Sequence, residues 1–148
     1  MNAGQLRLVF HPDPILRQAA EPISAVDASV RDVARRMLEI MHAERGVGLA
    51  GPQVGLNWRI FVANPTGDPD DDRVYINPVL RDPSRYTDRV EEGCLSIPDV
   101  RAPITRPVGV TIEAIDLNGE PFTESSEDLP SRIWQHETDH LDGVLIID

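Results

Sequence analysis

The strongest chemical signal in the sequence is the run His136-Glu137-Thr138-Asp139-His140. On a helix, residues four apart share a face, so both imidazoles can reach one metal ion. Glu137 lies next to the first of them, where it can touch a metal-bound water as a general base. The pattern also arises by chance, in on the order of one chain in several hundred. What favours the metal reading is that the run falls inside a predicted helix, as the chemistry requires. Two histidines leave a catalytic centre incomplete, because such sites use a further protein ligand and keep one position open. Glu91-Glu92-Gly93-Cys94-Leu95-Ser96-Ile97-Pro98 offers Cys94, the one cysteine of the chain. Taken alone, a single cysteine is more commonly a small buried hydrophobe, and Glu91 and Glu92 compete for the role. A thiolate would partly neutralise the cation, and a bound metal keeps the thiol deprotonated.

A third segment, Gly46-Val47-Gly48-Leu49-Ala50-Gly51-Pro52-Gln53-Val54-Gly55, is rich in glycine. It lacks the spacing and the lysine of a phosphate-binding loop. Its glycines suggest backbone that another chain approaches closely, and an extended peptide could add there as a strand. Gln53 offers an uncharged amide donor suited to a developing oxyanion. An ordinary glycine-rich connection with an exposed glutamine is the plainer alternative for this segment by itself.

These residues need elements to hold them. Asp27 reads as an N-cap, and Val30, Val33, Ala34, Met37, Leu38 and Met41 follow at helical spacing, which predicts an amphipathic helix over 28–44 ended by Gly46. Arg59 to Ala63 and Val74 to Ile76 read as strands. Between them, Gly67-Asp68-Pro69-Asp70-Asp71-Asp72 reads as a solvated hairpin loop in preference to a cation site. Val108 to Leu117 alternates apolar and polar residues and ends in the turn signal Asn118-Gly119. A second helix is expected from a cap at Ser125 or Ser126, with Glu127 and Asp128 in its first turn. It should tolerate Pro130 near its start, run to about Leu141 and stop at Gly143. Short strands and two helices in this order predict one α+β domain over residues 1–148.

Composition narrows the function classes. The formal charge is −11, and all 14 basic residues are arginine. Such a chain is poorly suited to nucleic-acid phosphates or to anionic membrane surfaces. One cysteine excludes an intrachain disulfide and fits a reducing compartment. Met1 to Phe10 lacks the apolar core of a signal peptide, and no apolar run is long enough to span a membrane. The default expectation is a soluble cytoplasmic protein.

Together, Gly46 to Gln53, Glu92 to Ser96 and His136 to His140 resemble the three signature motifs of peptide deformylases, in the same order and with similar separations. Tyr75-Ile76-Asn77-Pro78, Gln135, Leu141-Asp142-Gly143-Val144-Leu145 and His11-Pro12-Asp13-Pro14-Ile15-Leu16-Arg17 agree as well, so the resemblance extends from about Leu6 to Asp148. It implies a fold of small antiparallel sheets packed around a central metal-binding helix. It implies that Cys94, His136 and His140 hold one divalent ion, Fe²⁺ by preference, with Zn²⁺, Ni²⁺ or Co²⁺ able to substitute. Glu137 would be the general base and then acid, and the Gln53 amide and Leu95 N–H would stabilise the oxyanion. Val47 and Gly48 would pair with the substrate backbone, and Val90, Leu129 and Ile133 would line a methionine pocket. The implied substrates are N-formyl-Met peptides and nascent chains, met in the bacterial cytoplasm or, for a viral gene, in that of the host.

The sequence departs from the family pattern at Gly51, where Ala is usual, and at Thr138, where an apolar residue is usual. It also ends at Asp148 where most bacterial relatives continue into a C-terminal helix, which resembles the short phage-encoded members and implies weak or no ribosome docking. Two rival readings remain. A zincin-type metallopeptidase would need a third ligand downstream of His140, where Asp142 and Asp148 are the only acids. A non-catalytic module would need its metal position closed by a fourth protein ligand, such as Glu92.

Overall fold

The computed structural model describes residues 2–148. The first helix, α1, spans Ala28–Ala43, and the Asp27 carboxylate caps it by accepting the Val30 N–H at 3.0 Å. Its end differs from expectation. Glu44 is the C-cap, and Arg45, not Gly46, takes the left-handed conformation at φ 57°. The Gly46 N–H then returns to the Met41 carbonyl, which satisfies an orphan helix-end acceptor.

The chain continues as β1 (Gly48–Ala50), a 3₁₀ turn over Gly51–Val54, and β2 (Ile60–Ala63). The acidic segment makes a short turn between β2 and β3 (Arg73–Arg81), and β2 and β3 pair antiparallel across it, as a hairpin loop should. β4 (Thr87–Cys94) and β5 (Ile97–Pro107) form a separate two-stranded ribbon. β6 (Val110–Ile115) and β7 (Pro121–Ser126) form the hairpin around Asn118-Gly119, with Gly119 at φ 79°. The second helix, α2, spans Leu129–Leu141. Ser125 and Ser126 belong to β7, and the N-cap is Asp128, whose side chain makes no capping bond. The β-hairpin ladder claimed the two serines: Val110 pairs with Ser126 and Thr111 with Ser125.

The main sheet has the order β1-β2-β3-β6-β7, antiparallel throughout. Because successive side chains point to opposite faces, β2 divides its residues between two cores. Ile60 and Val62 join Leu49, Ile76 and the α1 residues Val33, Met37 and Met41 on one face. Phe61 and Ala63 join Ala50, Tyr75 and the α2 residues Ile133, Trp134 and Leu141 on the other. All of β2 is therefore buried, which explains an uninterrupted apolar run where alternation would mark a half-exposed strand. Truncating one of these fully buried side chains, such as Met37, to Ala should cost about 2–5 kcal/mol. On its far side α2 meets the ribbon: Gln135 Nε2 donates to the Pro107 carbonyl at 2.9 Å. The α+β expectation holds, with the metal-motif helix between sheet and ribbon.

Gly51 belongs to this packing. A Cβ there would lie 2.6 Å from the Trp58 carbonyl oxygen, so in this chain the loop after β1 closes against backbone that an alanine would have to displace. Glycine at this position therefore keeps the turn closed against the Trp58 carbonyl.

Candidate functional site

His136 and His140 project from one face of α2 with ring centroids 5.1 Å apart, as the four-residue spacing requires. Cys94 ends β4, and its Sγ lies 3.3 Å from His140 Nε2. Ligand atoms of Cys94, His136 and His140 all lie within 4.8 Å of one another, the only such trio among the described residues. Glu91 and Glu92, the competing candidates, are placed elsewhere. Glu91 is exposed and lies 3.9 Å from Arg101. Glu92 is 7 % exposed and occupied. It accepts two hydrogen bonds from Arg106, at 2.7 and 2.9 Å, and one from Arg132.

Glu92 also lies 2.9 Å from His136 Nδ1. A carboxylate at Nδ1 orients the ring and would hold a proton there once an ion displaced the one on Nε2. Burial alone would raise the Glu92 carboxyl, but Arg106 and His136 hold it well below the usual carboxylate range. Arg106 extends the network to Asp139 at 2.8 Å, and Arg132 extends it to Asp88 at 2.7 Å. Arg106, Arg132, Asp88 and Asp139 were not identified from sequence. In the β4–β5 ladder Glu92 faces Ala102 and Arg106 faces Asp88, so strand pairing alone would not have matched Arg106 to Glu92. The two side chains meet beside α2, where Arg106 also reaches Asp139 and Glu92 reaches His136.

Glu137 is 4 % exposed. Burial pushes its carboxyl up to about 7, although the nearby His136 opposes this. Its Oε1 has no hydrogen-bond partner, and Oε2 lies 3.9 Å from His136 Nε2. A carboxyl poised near neutrality suits a proton carrier. The two histidines are driven apart. Burial and His136 hold His140 down at about 3, leaving it a neutral imidazole. Burial would lower His136 too, but the charge of Glu137 and the hydrogen bonds to Cys94 and Glu92 outweigh it and raise His136 to about 10. The same anions favour any cation at this point. A soft sulfur, two imidazoles and an unpartnered carboxylate oxygen make a donor set that fits a divalent transition ion with an open position.

The Gln53 side chain is 2 % exposed and fixed at both ends. Its Oε1 accepts the Ala50 N–H at 2.9 Å, and its Nε2 donates to Ser96 Oγ at 3.2 Å and toward Cys94 Sγ at 3.6 Å. The exposed-glutamine alternative is thus excluded. A cleft of about 570 Å³ opens onto these groups. Val47, Gly48, Gln53, Val90, Cys94, Leu95, Leu129, Ile133, His136 and Glu137 line it, whereas His140 stands behind, 1 % exposed.

One wall of the cleft is β1, an edge strand. The Val47 carbonyl accepts the Asn64 N–H at 2.8 Å, and the alternation of an antiparallel ladder turns the Gly48 peptide groups toward the open edge. A Cβ on Gly48 would strike Glu137 Oε2 at 2.6 Å, so glycine is what lets this strand lie directly on that carboxylate. Behind the histidines, Thr138 is buried with its hydroxyl unpartnered, a polar group standing where packing asks for an apolar one. The acids downstream of α2 face away: Asp142 pairs with Arg59 at 3.1 Å and Asp148 with Arg17 at 2.7 Å.

Residues 5–148 match the family model described as polypeptide deformylase. The chain is 43% identical over 144 residues to a peptide deformylase of Acidobacterium capsulatum, covering 95% of this chain and 83% of that protein. It is 42% identical over 148 residues to the chloroplastic/mitochondrial peptide deformylase 1B of Arabidopsis thaliana, covering 97% of this chain but 53% of that protein. The chain thus spans about half the length of the plant relative. Among solved structures, a peptide deformylase from Legionella pneumophila superimposes with a TM-score of 0.94 at 36% identity, covering 97% of this chain and 84% of that one. A plant peptide deformylase gives a TM-score of 0.93 at 42% identity, covering 97% of this chain and 79% of that one.

Proposed function

Since this chain belongs to the polypeptide deformylase family, we propose that it hydrolyses the formyl group from N-terminal formyl-methionine of peptides and nascent chains, releasing formate. The observation that carries the reading is the buried Glu137 carboxyl, with Oε1 unpartnered, beside the Cys94, His136 and His140 trio. Bound by Cys94 Sγ and the two imidazoles, a divalent ion would supply Lewis acidity and lower the pKa of water in the site. Glu137 accepts the proton of the attacking water and later delivers it to the departing amine. The Gln53 amide, locked by Ala50 and Ser96, donates to the formyl oxygen as negative charge builds there, together with the Leu95 N–H. Gly48 and Val47 align the peptide backbone, and Val90, Leu129 and Ile133 receive the methionine side chain. Glu92 keeps His136 in the tautomer that donates from Nε2.

The zincin alternative lacks its ligand, because Asp142 and Asp148 are both paired with arginines. The closed structural site lacks its fourth donor, because Glu92 is committed to Arg106, Arg132 and His136. Formate release from formyl-Met-Ala-Ser, measured beside cleavage of an internal peptide bond, tests the proposal. Internal cleavage without formate would refute it.

Fe²⁺ is the ion we assign, with Zn²⁺, Ni²⁺ or Co²⁺ as substitutes, since one thiolate and two imidazoles suit all four. Metal analysis of anaerobically purified protein checks this. No described helix is long and apolar enough to cross a membrane. The reading places the activity where chains start with formyl-methionine, in the bacterial cytoplasm or that of a host cell. A charge of −11 opposes tight docking on ribosomal RNA, so co-sedimentation with ribosomes should be weak at moderate salt.

A further inference from the structure

Among the described residues, four non-glycine residues have a positive φ: Arg45, Asn77, Asp82 and Asp99. Two of these, Arg45 and Asp99, line the cleft, and both are exposed and charged. Left-handed backbone is costly for a side-chain-bearing residue and is a pointer to function where it recurs at a site. The Arg45 conformation is held on both sides, by its own N–H to the His42 carbonyl at 3.1 Å and by the Gly46 N–H to the Met41 carbonyl at 2.9 Å. Its guanidinium has no ion pair or hydrogen bond among the described residues. The other cation of the rim, Arg101, lies 3.9 Å from Glu91 and donates to its carbonyl. Arg132, deeper in, is taken by Glu92 and Asp88. The β1 wall therefore presents one uncommitted positive charge, while the opposite wall mixes Glu91, Asp99 and Arg101.

The position of Arg45 along the cleft follows from β1. That strand runs inward, from Gly48 against Glu137 toward Gln53. An extended peptide with its formyl end between Glu137 and Gln53 must run outward, antiparallel to β1. Strand residues advance about 3.3 Å each, so if the methionine lies beside Gly48, the residue two positions later lies beside Gly46 and within reach of the Arg45 side chain. Building on the deformylase reading, we infer that Arg45 is a specificity residue that selects formyl-Met peptides with an acidic side chain at the third position. It contacts the substrate remote from the formyl group and takes no part in proton transfer.

The test compares kcat/KM for formyl-Met-Ala-Glu-Ser, formyl-Met-Ala-Gln-Ser and formyl-Met-Ala-Lys-Ser at low and at 1 M salt. An exposed pair of this kind is worth about 2- to 5-fold for Glu over Gln, and the preference should collapse at high salt because exposed charges are screened. In Arg45→Gln the preference for the Glu over the Gln peptide should vanish. In Arg45→Glu the order should invert in favour of Lys. Asp99→Asn should leave the sign of the preference unchanged. Equal rates for the Glu and Gln peptides in the unmodified protein at low salt, or a preference that survives Arg45→Gln, overturn the inference while leaving the deformylase reading intact. Absence of formate from all three peptides overturns that reading, and this inference with it.

Discussion

Replacing Arg106 by Met should weaken the fold and the metal site together, and by different amounts. Arg106 is 7 % exposed overall and makes two bonds to Glu92 and one to Asp139. Removing one partner of a buried pair costs about 3–5 kcal/mol, because the remaining charge stays buried. Here Arg132 and His136 still contact Glu92, and the Asp139 contact is half exposed and counts for little, so the low end, about 3 kcal/mol, applies. With 148 residues and an unfolding entropy of about 2.1 cal/mol/K per residue, the loss corresponds to a fall in Tm of about 10 °C. Glu92 has a folded pKa below its ordinary value of 4.5, so its stabilisation is fully present above that value and is lost as pH falls through the window beneath it. The gap between native protein and variant should therefore be widest near neutral pH and narrow on acidification. Loosening Glu92 also frees His136 to turn, and such outer contacts are worth about 10- to 100-fold in metal affinity. Urea and thermal unfolding of the metal-free proteins at pH 7 and pH 4, with metal titration of each, measure both effects. A stability change under about 1 kcal/mol with unaltered metal affinity would refute the reasoning and mean that Arg132 alone secures Glu92.

Three further outcomes are expected. Glu137→Gln should retain near-stoichiometric metal while turnover falls by roughly two or more orders of magnitude; unchanged turnover would remove Glu137 from the chemistry. Cys94→Ala should lose most bound metal and nearly all activity, as read by metal content after desalting. Thr138→Val, which deletes an unpartnered buried hydroxyl at constant shape, should stabilise the protein by about 1 kcal/mol in urea unfolding.

The site was legible where it is local. His136, Glu137 and His140 lie within one helical turn, and helical geometry alone brings the two imidazoles to one face. Cys94 was legible by itself only as one of three candidates, because its place beside His140 depends on a contact across 46 residues of sequence. The ribbon was not legible as strands. β4 exposes nearly every residue, so no alternation marks a buried face, and β5 carries Pro98, Pro103 and Pro107, which read as breaks. That omission hid the arginine network as well, since Arg106 meets Glu92 only once those strands pair. The start of α2 was misplaced for a related reason. Ser125 and Ser126 have cap chemistry, but hydrogen bonding to β6 outcompeted it.

The ribbon has no backbone ladder to the main sheet. Cys94 belongs to the ribbon and both histidines belong to α2, so an ion shared among them would act as a removable rivet added to the side-chain hydrogen bonds that already join the two. Ion loss and partial detachment of the ribbon then become one coupled equilibrium, in which each mole of bound ion stabilises the attached state by mass action. Amide exchange would report it region by region. Protection of Val90 to Cys94 should rise with metal concentration, while protection of Ile60 to Ala63, in a strand buried on both faces, should hardly respond.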